Sequence, residues 1–156
     1  MTSEELDLRS YFDRPAALPE SLARFDTLWI HGGESFLLRR AMHDSGFDQA
    51  VTDLLRADRI VYAGWSAAVV VLAPTLRGIA LVDSLDVVQA VYRREPVWEG
   101  LNLLPYSVAV HFQSDHPESP ATDGEVAFYQ REGMPYRTLR DGQAIVIDGA
   151  REEVVE

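Results

Sequence analysis

The chain has 156 residues, with 14 basic against 25 acidic side chains, a formal net charge of −11 and no cysteine. That length suits one domain, residues 1–156, and 47% hydrophobic with 25% charged residues is the balance of a globular protein with a buried core. The acidic excess repels phosphate backbones and argues against nucleic-acid binding, while the missing cysteine removes thiol nucleophiles, thiolate metal sites and disulfides.

The opening segment, Met1 to Asp7, lacks the basic and apolar regions of a secretion leader. The longest apolar stretch, Ala67 to Pro74, is far short of the roughly 20 residues that span a bilayer. A cytoplasmic location without membrane insertion is the expectation. Asp13, Arg14 and Pro15 read as a turn, Pro19 to Arg24 as a short helix, and Asp26 to Ile30 as a buried strand running into the tight Gly32-Gly33 loop. From Ser35 the spacing turns helical, with Gly46 as an interruption, and Phe47, Val51, Leu54 and Leu55 mark one apolar face of a second helix. Ile60 to Ala63 reads as a second buried strand, and Gly64-Trp-Ser-Ala-Ala68 leads from it into an apolar segment: strand, elbow, helix.

Further on, Val87 to Tyr92 reads as a helix, Ser107 to Phe112 as a strand, and Thr122 to Glu132 as a helix stopped by Gly133. Tyr136 to Arg140 and Gln143 to Ile147 flank Asp141-Gly142, which predicts a hairpin, and Arg151 to Glu156 reads as a frayed acidic end. Strands alternating with helices predict an α/β sheet covered on both faces, with chemistry at the carboxyl ends of the strands. The loops after Ile30, Ala63 and Phe112 then share one rim and bring Gly32, Gly33, Ser66 and His111 into one cleft.

A serine hydroxyl becomes a nucleophile when a neighbouring base takes its proton, so Ser66 needs a histidine in reach and a carboxylate to orient that histidine. The G-x-S-x-G elbow holds a serine on a strained turn where the next backbone N–H faces a developing oxyanion; here Ala68 stands in place of the last glycine. An ordinary helix N-cap serine is the competing reading. His111 ends a strand and is the candidate base, with His116 its rival. His31, Asp115 and His116 lack any metal-ligand spacing, so no metal and no cofactor are expected. Arg39 and Arg40 read as a solvated helix face, and Trp29, Trp65 and Trp98 as packing residues, Trp65 being the one best placed to line the cleft.

Three segments in order, His31-Gly-Gly-Glu-Ser-Phe36, Tyr62-Ala-Gly-Trp-Ser-Ala-Ala68 and Leu101 to Tyr106 leading to Val110-His-Phe112, resemble the dipeptidase E (peptidase S51) family. Its members carry a G-G-N-T-F loop, a Y-x-G-W-S-A-G-A elbow and a later P-H-F segment. The resemblance covers most of the chain. It implies a flavodoxin-like three-layer sandwich with a mainly parallel sheet, related to class I glutamine amidotransferases, and a metal-free Ser-His-acid triad that cleaves small peptides, notably dipeptides beginning with aspartate. Carried over residue by residue, it makes Ser66 the nucleophile, His111 the base and Asp83 the acid, with Asp86 second, and it builds the oxyanion hole from the backbone N–H groups of Gly33 and Ala67.

The sequence departs from the family at Ala68, at Glu34 where the family has asparagine beside the oxyanion loop, and in length, since family members carry a further βαβ unit before the strand at Thr27 to Ile30. An N-terminally shortened sheet of this kind has an open edge, which a second copy of the chain would cover. These departures motivate the alternative expectation of a catalytically silent binding domain on the same scaffold.

Overall fold

The computed structural model describes residues 3–156; Met1 and Thr2, the start of the segment read above for a leader, lie outside them. Two short 3₁₀ turns, Leu8–Tyr11 and Pro15–Ala17, lead into helix α1 (Leu18–Leu22) and strand β1 (Thr27–Ile30). Helices α2 (Ser35–Ser45) and α3 (Phe47–Arg56) follow, broken at Gly46 as the sequence predicts: its φ of 76° is left-handed, and its N–H caps the end of α2 on the carbonyls of Met42 and His43. Strand β2 (Val61–Gly64) runs parallel to β1 with Trp29 opposite Ala63 and Ile30 opposite Gly64, so both strands deliver their following loops to the same end. Helix α4 (Ala67–Val70) starts at that end.

After a 3₁₀ turn, Ile79–Leu81, and helix α5 (Asp86–Tyr92), strand β3 (Ser107–Ala109) pairs in parallel with β4 (Tyr136–Thr138), the long helix α6 (Ser119–Glu132) forming their crossover. Helix α4 contacts both β2 and β3 and so joins the two parallel pairs, while α6 packs on β3 and β4. Leu18, Leu22, Phe36, Met42, Phe47, Val51, Val71, Leu76, Val88 and Val108 form the main apolar core. Helices packed with parallel strands make an α/β sandwich, the class expected from the alternating pattern. Among the described residues no helix is long and apolar enough to cross a membrane.

The hairpin lies elsewhere than the sequence suggested. Asp141-Gly142 does make a tight turn, with Gln143 N–H donating to the Arg140 carbonyl at 3.0 Å and φ 92° at Gly142. Its flanks separate, because β4 goes to β3 while β5 (Ala144–Asp148) pairs antiparallel with β6 (Arg151–Val155) across Gly149. The supposedly frayed end is therefore a strand. Val154 sits opposite Ile145 in this pair, and Arg137 of β4, in a different sheet, bonds Glu152 at 2.7 Å, so partners distant in sequence hold residues whose local sequence gave no reason for order. The strand read through Phe112 stops at Ala109, and the backbone turns left-handed at His111, φ 58°.

Candidate active site

The elbow forms where β2 delivers the chain to α4. Ser66 has φ 53° and ψ −121°, a conformation costly for a residue with a side chain, and its hydroxyl makes no helix-capping bond. The N-cap reading is thereby overturned: the side chain is held away from the helix it precedes. Glycine is needed next door for close approach, since a Cβ on Gly64 would lie 2.6 Å from Ala68 Cβ and 2.8 Å from the Ile30 carbonyl oxygen. The extra methyl of Ala68 is thus accommodated by the bare Cα of Gly64. The Tyr62 hydroxyl donates to the Ala68 carbonyl at 2.7 Å and ties the strand to the first turn of the helix; burial pushes that phenol above its ordinary range.

The Gly32-Gly33 loop lies against the elbow, as a Cβ on Gly32 would fall 2.9 Å from Ser66 Cβ. Gly33 adopts φ 134° and lines a small cavity together with Ser66 and Val110. Among the described residues no protein acceptor takes the N–H of Gly33 or of Ala67, which leaves both free for an oxyanion.

His111 reaches this point from the third loop. Its Nε2 lies 3.1 Å from Ser66 Oγ and its Nδ1 lies 2.6 Å from Asp141 Oδ1. With the proton on Nδ1, the ring donates to Asp141 and accepts the serine hydroxyl hydrogen, the arrangement a general base requires. The side chain of His111 is 11% exposed and that of Asp141 46%, so the contact to the acid is the wetter of the two.

Asp83, the acid carried over from the resemblance, lines the same small cavity as Ser66, but its carboxylate is engaged away from His111. Its Oδ2 accepts the Ser35 N–H at 2.8 Å, at the start of α2, and Asp86 is exposed on α5. Neither takes the Nδ1 of the histidine: the segment 79–92 packs beside α2 and α6, while β4 carries Asp141 to the rim that holds His111. In the sequence Asp141 stands as an acid after a strand, in an Asp-Gly pair that equally suits a hairpin turn.

Glu34 is engaged at the start of α2. Its Oε2 accepts the Leu37 N–H at 2.6 Å, capping α2, while its Oε1 is buried with no partner. Burial pushes its carboxyl up to about 7; the charge of Asp83 adds to the rise and the Leu37 N–H opposes it. Glu125, almost wholly buried in α6, is likewise raised to about 7 by burial; the Tyr129 hydroxyl, which donates to it at 2.6 Å, opposes the rise, and Asp83 adds to it.

The other singled-out residues take structural places. Arg39 is buried, with its guanidinium on Asp48 at 2.7 and 2.9 Å and on the Glu99 carbonyl, and Arg40 pairs with Asp44. Neither forms a solvated face: Asp48 on α3 holds Arg39, and Asp44, one turn on in α2, holds Arg40. Trp98 packs edge-on to Phe36, but Trp29 and Trp65 are 63% and 49% exposed and so are not core residues. His116 stacks on His111 rather than approaching Ser66, with ring centroids 3.7 Å apart.

Comparison with known proteins places these features in context. The family model described as peptidase family S51 matches residues 4–155. An uncharacterized peptidase of Pasteurella multocida (strain Pm70) is 27% identical over 145 residues, 93% of this chain and 66% of that protein. Peptidase E of Streptomyces coelicolor is 28% identical over 141 residues, covering 85% and 54%. A 1.5 Å crystal structure of a "Putative Peptidase E Protein" from Listeria monocytogenes EGD-e superposes with a TM-score of 0.80 at 25% identity, covering 97% of this chain and 69% of that one. The chain thus spans between half and two thirds of the length of these two curated relatives.

Proposed function

Because the chain belongs to peptidase family S51, we propose that it is a serine-type peptidase of small peptides in which Ser66, His111 and Asp141 act as nucleophile, base and acid. The observation that carries the reading is the continuous contact from Ser66 Oγ through both nitrogens of His111 to Asp141, at 3.1 and 2.6 Å. Dipeptides beginning with aspartate are the first substrates to test, on the strength of the family resemblance.

Ser66 Oγ attacks the peptide carbonyl carbon as its proton passes to His111 Nε2, and Asp141 stabilises the imidazolium that forms. The carbonyl oxygen becomes an oxyanion beside the N–H groups of Gly33 and Ala67; donors of this kind lower the barrier by roughly 3 to 4 kcal/mol each. His111 then protonates the leaving amine. Water, activated by the same ring, hydrolyses the acyl-enzyme and frees Ser66. Under this reading residues 1–156 act as one catalytic domain, and no step calls on a metal or cofactor.

Two grounds for a catalytically silent scaffold lose force here. Glu34 is engaged as a helix cap, and the methyl of Ala68 fits over Gly64. The test is labelling by a fluorophosphonate probe, followed by assays with Asp-Xaa dipeptides. Wild type is expected to label and to turn over substrate, with both lost in Ser66→Ala and His111→Ala while circular dichroism is unchanged. Well-folded wild type that neither labels nor hydrolyses any peptide overturns the proposal.

A further inference from the structure

Among the described residues one group of three side chains has the composition and proximity of a metal-ligand set, and it includes the proposed base. Ligand atoms of His111, His116 and Glu118 all lie within 4.8 Å of one another. The two imidazoles stack at 3.7 Å with their planes 9° apart, and His116 Nδ1 is 3.9 Å from Glu118 Oε2. Glu118 and Ser66 line the same small cavity. We propose that His111, His116 and Glu118 form a reversible inhibitory site for a divalent transition-metal ion of the zinc type, whose occupancy withdraws His111 from Ser66.

The donor chemistry fits. Two neutral imidazoles and one carboxylate, with a further position left to water, suit zinc, whose bonds to such ligands are about 2.0 to 2.2 Å. The second shell is also in place. A zinc-bound histidine gains basicity and a fixed orientation when its other nitrogen donates to a carboxylate, and Asp141 already takes that position on Nδ1. The contact that makes His111 a base therefore also makes its Nε2 a metal ligand. That nitrogen has one lone pair, so it serves either the serine hydroxyl or the ion.

Closure requires one movement. An ion lies in the plane of each imidazole that binds it, and parallel stacked planes have no common line at bonding distance, so one ring must tilt. His111 is held at both nitrogens. His116 sits in the turn before α6, its side chain is 31% exposed, and its ring accepts one long hydrogen bond, from the Glu118 N–H at 3.3 Å. His116 is thus the ring that swings, releasing the Glu118 N–H. Binding makes three metal–ligand bonds and gives up two hydrogen bonds, that between Ser66 and His111 Nε2 and the long one from the Glu118 N–H to His116.

The inhibitory effect rests on the serine-peptidase reading, whereas binding itself does not, and the experiment separates them. Untagged full-length protein is titrated with zinc chloride in a calorimeter and with cobalt chloride by visible absorption, as wild type, His116→Gln, Glu118→Gln and Ser66→Ala. Wild type is expected to bind one ion per chain with a tetrahedral cobalt spectrum. Both ligand variants should bind about tenfold or more weakly, and Ser66→Ala at least as tightly as wild type, because the competing hydroxyl is gone. Where hydrolysis is measurable, the ratio of rates in zinc and in chelator should fall in wild type and stay near unity in the two ligand variants. Absence of one-to-one binding, or binding that survives both ligand substitutions, overturns the site. Binding as described in a protein without peptidase activity leaves the site standing and overturns the function.

Discussion

His111 Nδ1 and Asp141 Oδ1 meet at 2.6 Å across 30 residues of sequence, and backbone pairing beyond the ends of β3 and β4 makes the meeting possible. Leu139 N–H donates to the Ala109 carbonyl and Phe112 N–H to the Leu139 carbonyl, both at 2.9 Å, so the turn that carries the histidine lies directly beside the turn that carries the acid. Asp141 N–H is fixed in turn by the Ser114 hydroxyl at 2.8 Å.

Asp141→Asn should lower kcat by about 10² to 10⁴-fold with little effect on unfolding, since an amide holds the ring in the wrong tautomer and stabilises no imidazolium. Asp83→Asn should do the reverse, keeping most activity while lowering Tm through loss of a charged acceptor at the start of α2. Steady-state kinetics paired with thermal melts decide between the two acids. Equal loss of kcat in both variants contradicts the assignment.

Gly64→Ala should destabilise the fold by about 1 to 3 kcal/mol, because the new methyl meets Ala68 Cβ and the Ile30 carbonyl. Adding Ala68→Gly relieves the first clash and leaves the second. Urea titration of the two single variants and the double variant is expected to give a favourable coupling between the sites, with rescue short of complete.

Tyr62→Phe removes the hydroxyl that reaches the Ala68 carbonyl and should cost about 1 to 2 kcal/mol in denaturant unfolding. A larger proportional fall in kcat than in stability is expected, because the same bond fixes the turn on which Ser66 is strained.

Glu125 carries a carboxyl raised to about 7 in the folded protein against 4.5 ordinarily. Between those values the folded chain holds a proton that the unfolded chain has released, so stability is full below about pH 4.5, declines as the pH rises to 7, and is level above. Glu125→Gln keeps an acceptor for the Tyr129 hydroxyl and cannot ionise. It should match wild type near pH 4.5 and exceed it at pH 8 by up to about 3 kcal/mol, as thermal melts at the two pH values will show. Glu34 contributes a slope in the same window, so the variant flattens the profile only in part.

Glu34→Gln addresses that second group through activity. The carboxyl, raised to about 7, gains its charge above that pH, on the residue next to the Gly33 amide. The expected result is equal kcat/KM for variant and wild type at pH 6 and a higher value for the variant at pH 8.

The elbow was legible in the sequence because its chemistry is local: a glycine before a serine at the end of an apolar run dictates a strand, a sharp turn and a helix. His111 was legible from the Val110-His-Phe112 segment, although β3 ends at Ala109 and the histidine sits on the turn that follows it. The contact of Asp141 with His111 was not, since it depends on β4 choosing β3 as a parallel neighbour over β5 as a hairpin partner, and Asp-Gly suits a tight turn in either case. The order of β6 depends on a partner strand in the same way. Arg39 reads as surface from helical spacing alone, and only the arrival of Asp48 and the Glu99 carbonyl makes its burial tolerable.

The three side chains of the proposed relay hang from different parts of the fold, Ser66 after β2, His111 after β3 and Asp141 after β4, and no short stretch of chain contains any two of them. Catalytic competence is therefore a property of the docked assembly of these strands, and it registers partial openings that leave most helices intact. The outermost link, on the exposed Asp141 turn, is expected to open first. On gentle denaturation turnover should fade while the helical signal is still near its native value, so the hydrolysis rate reports local order at this rim.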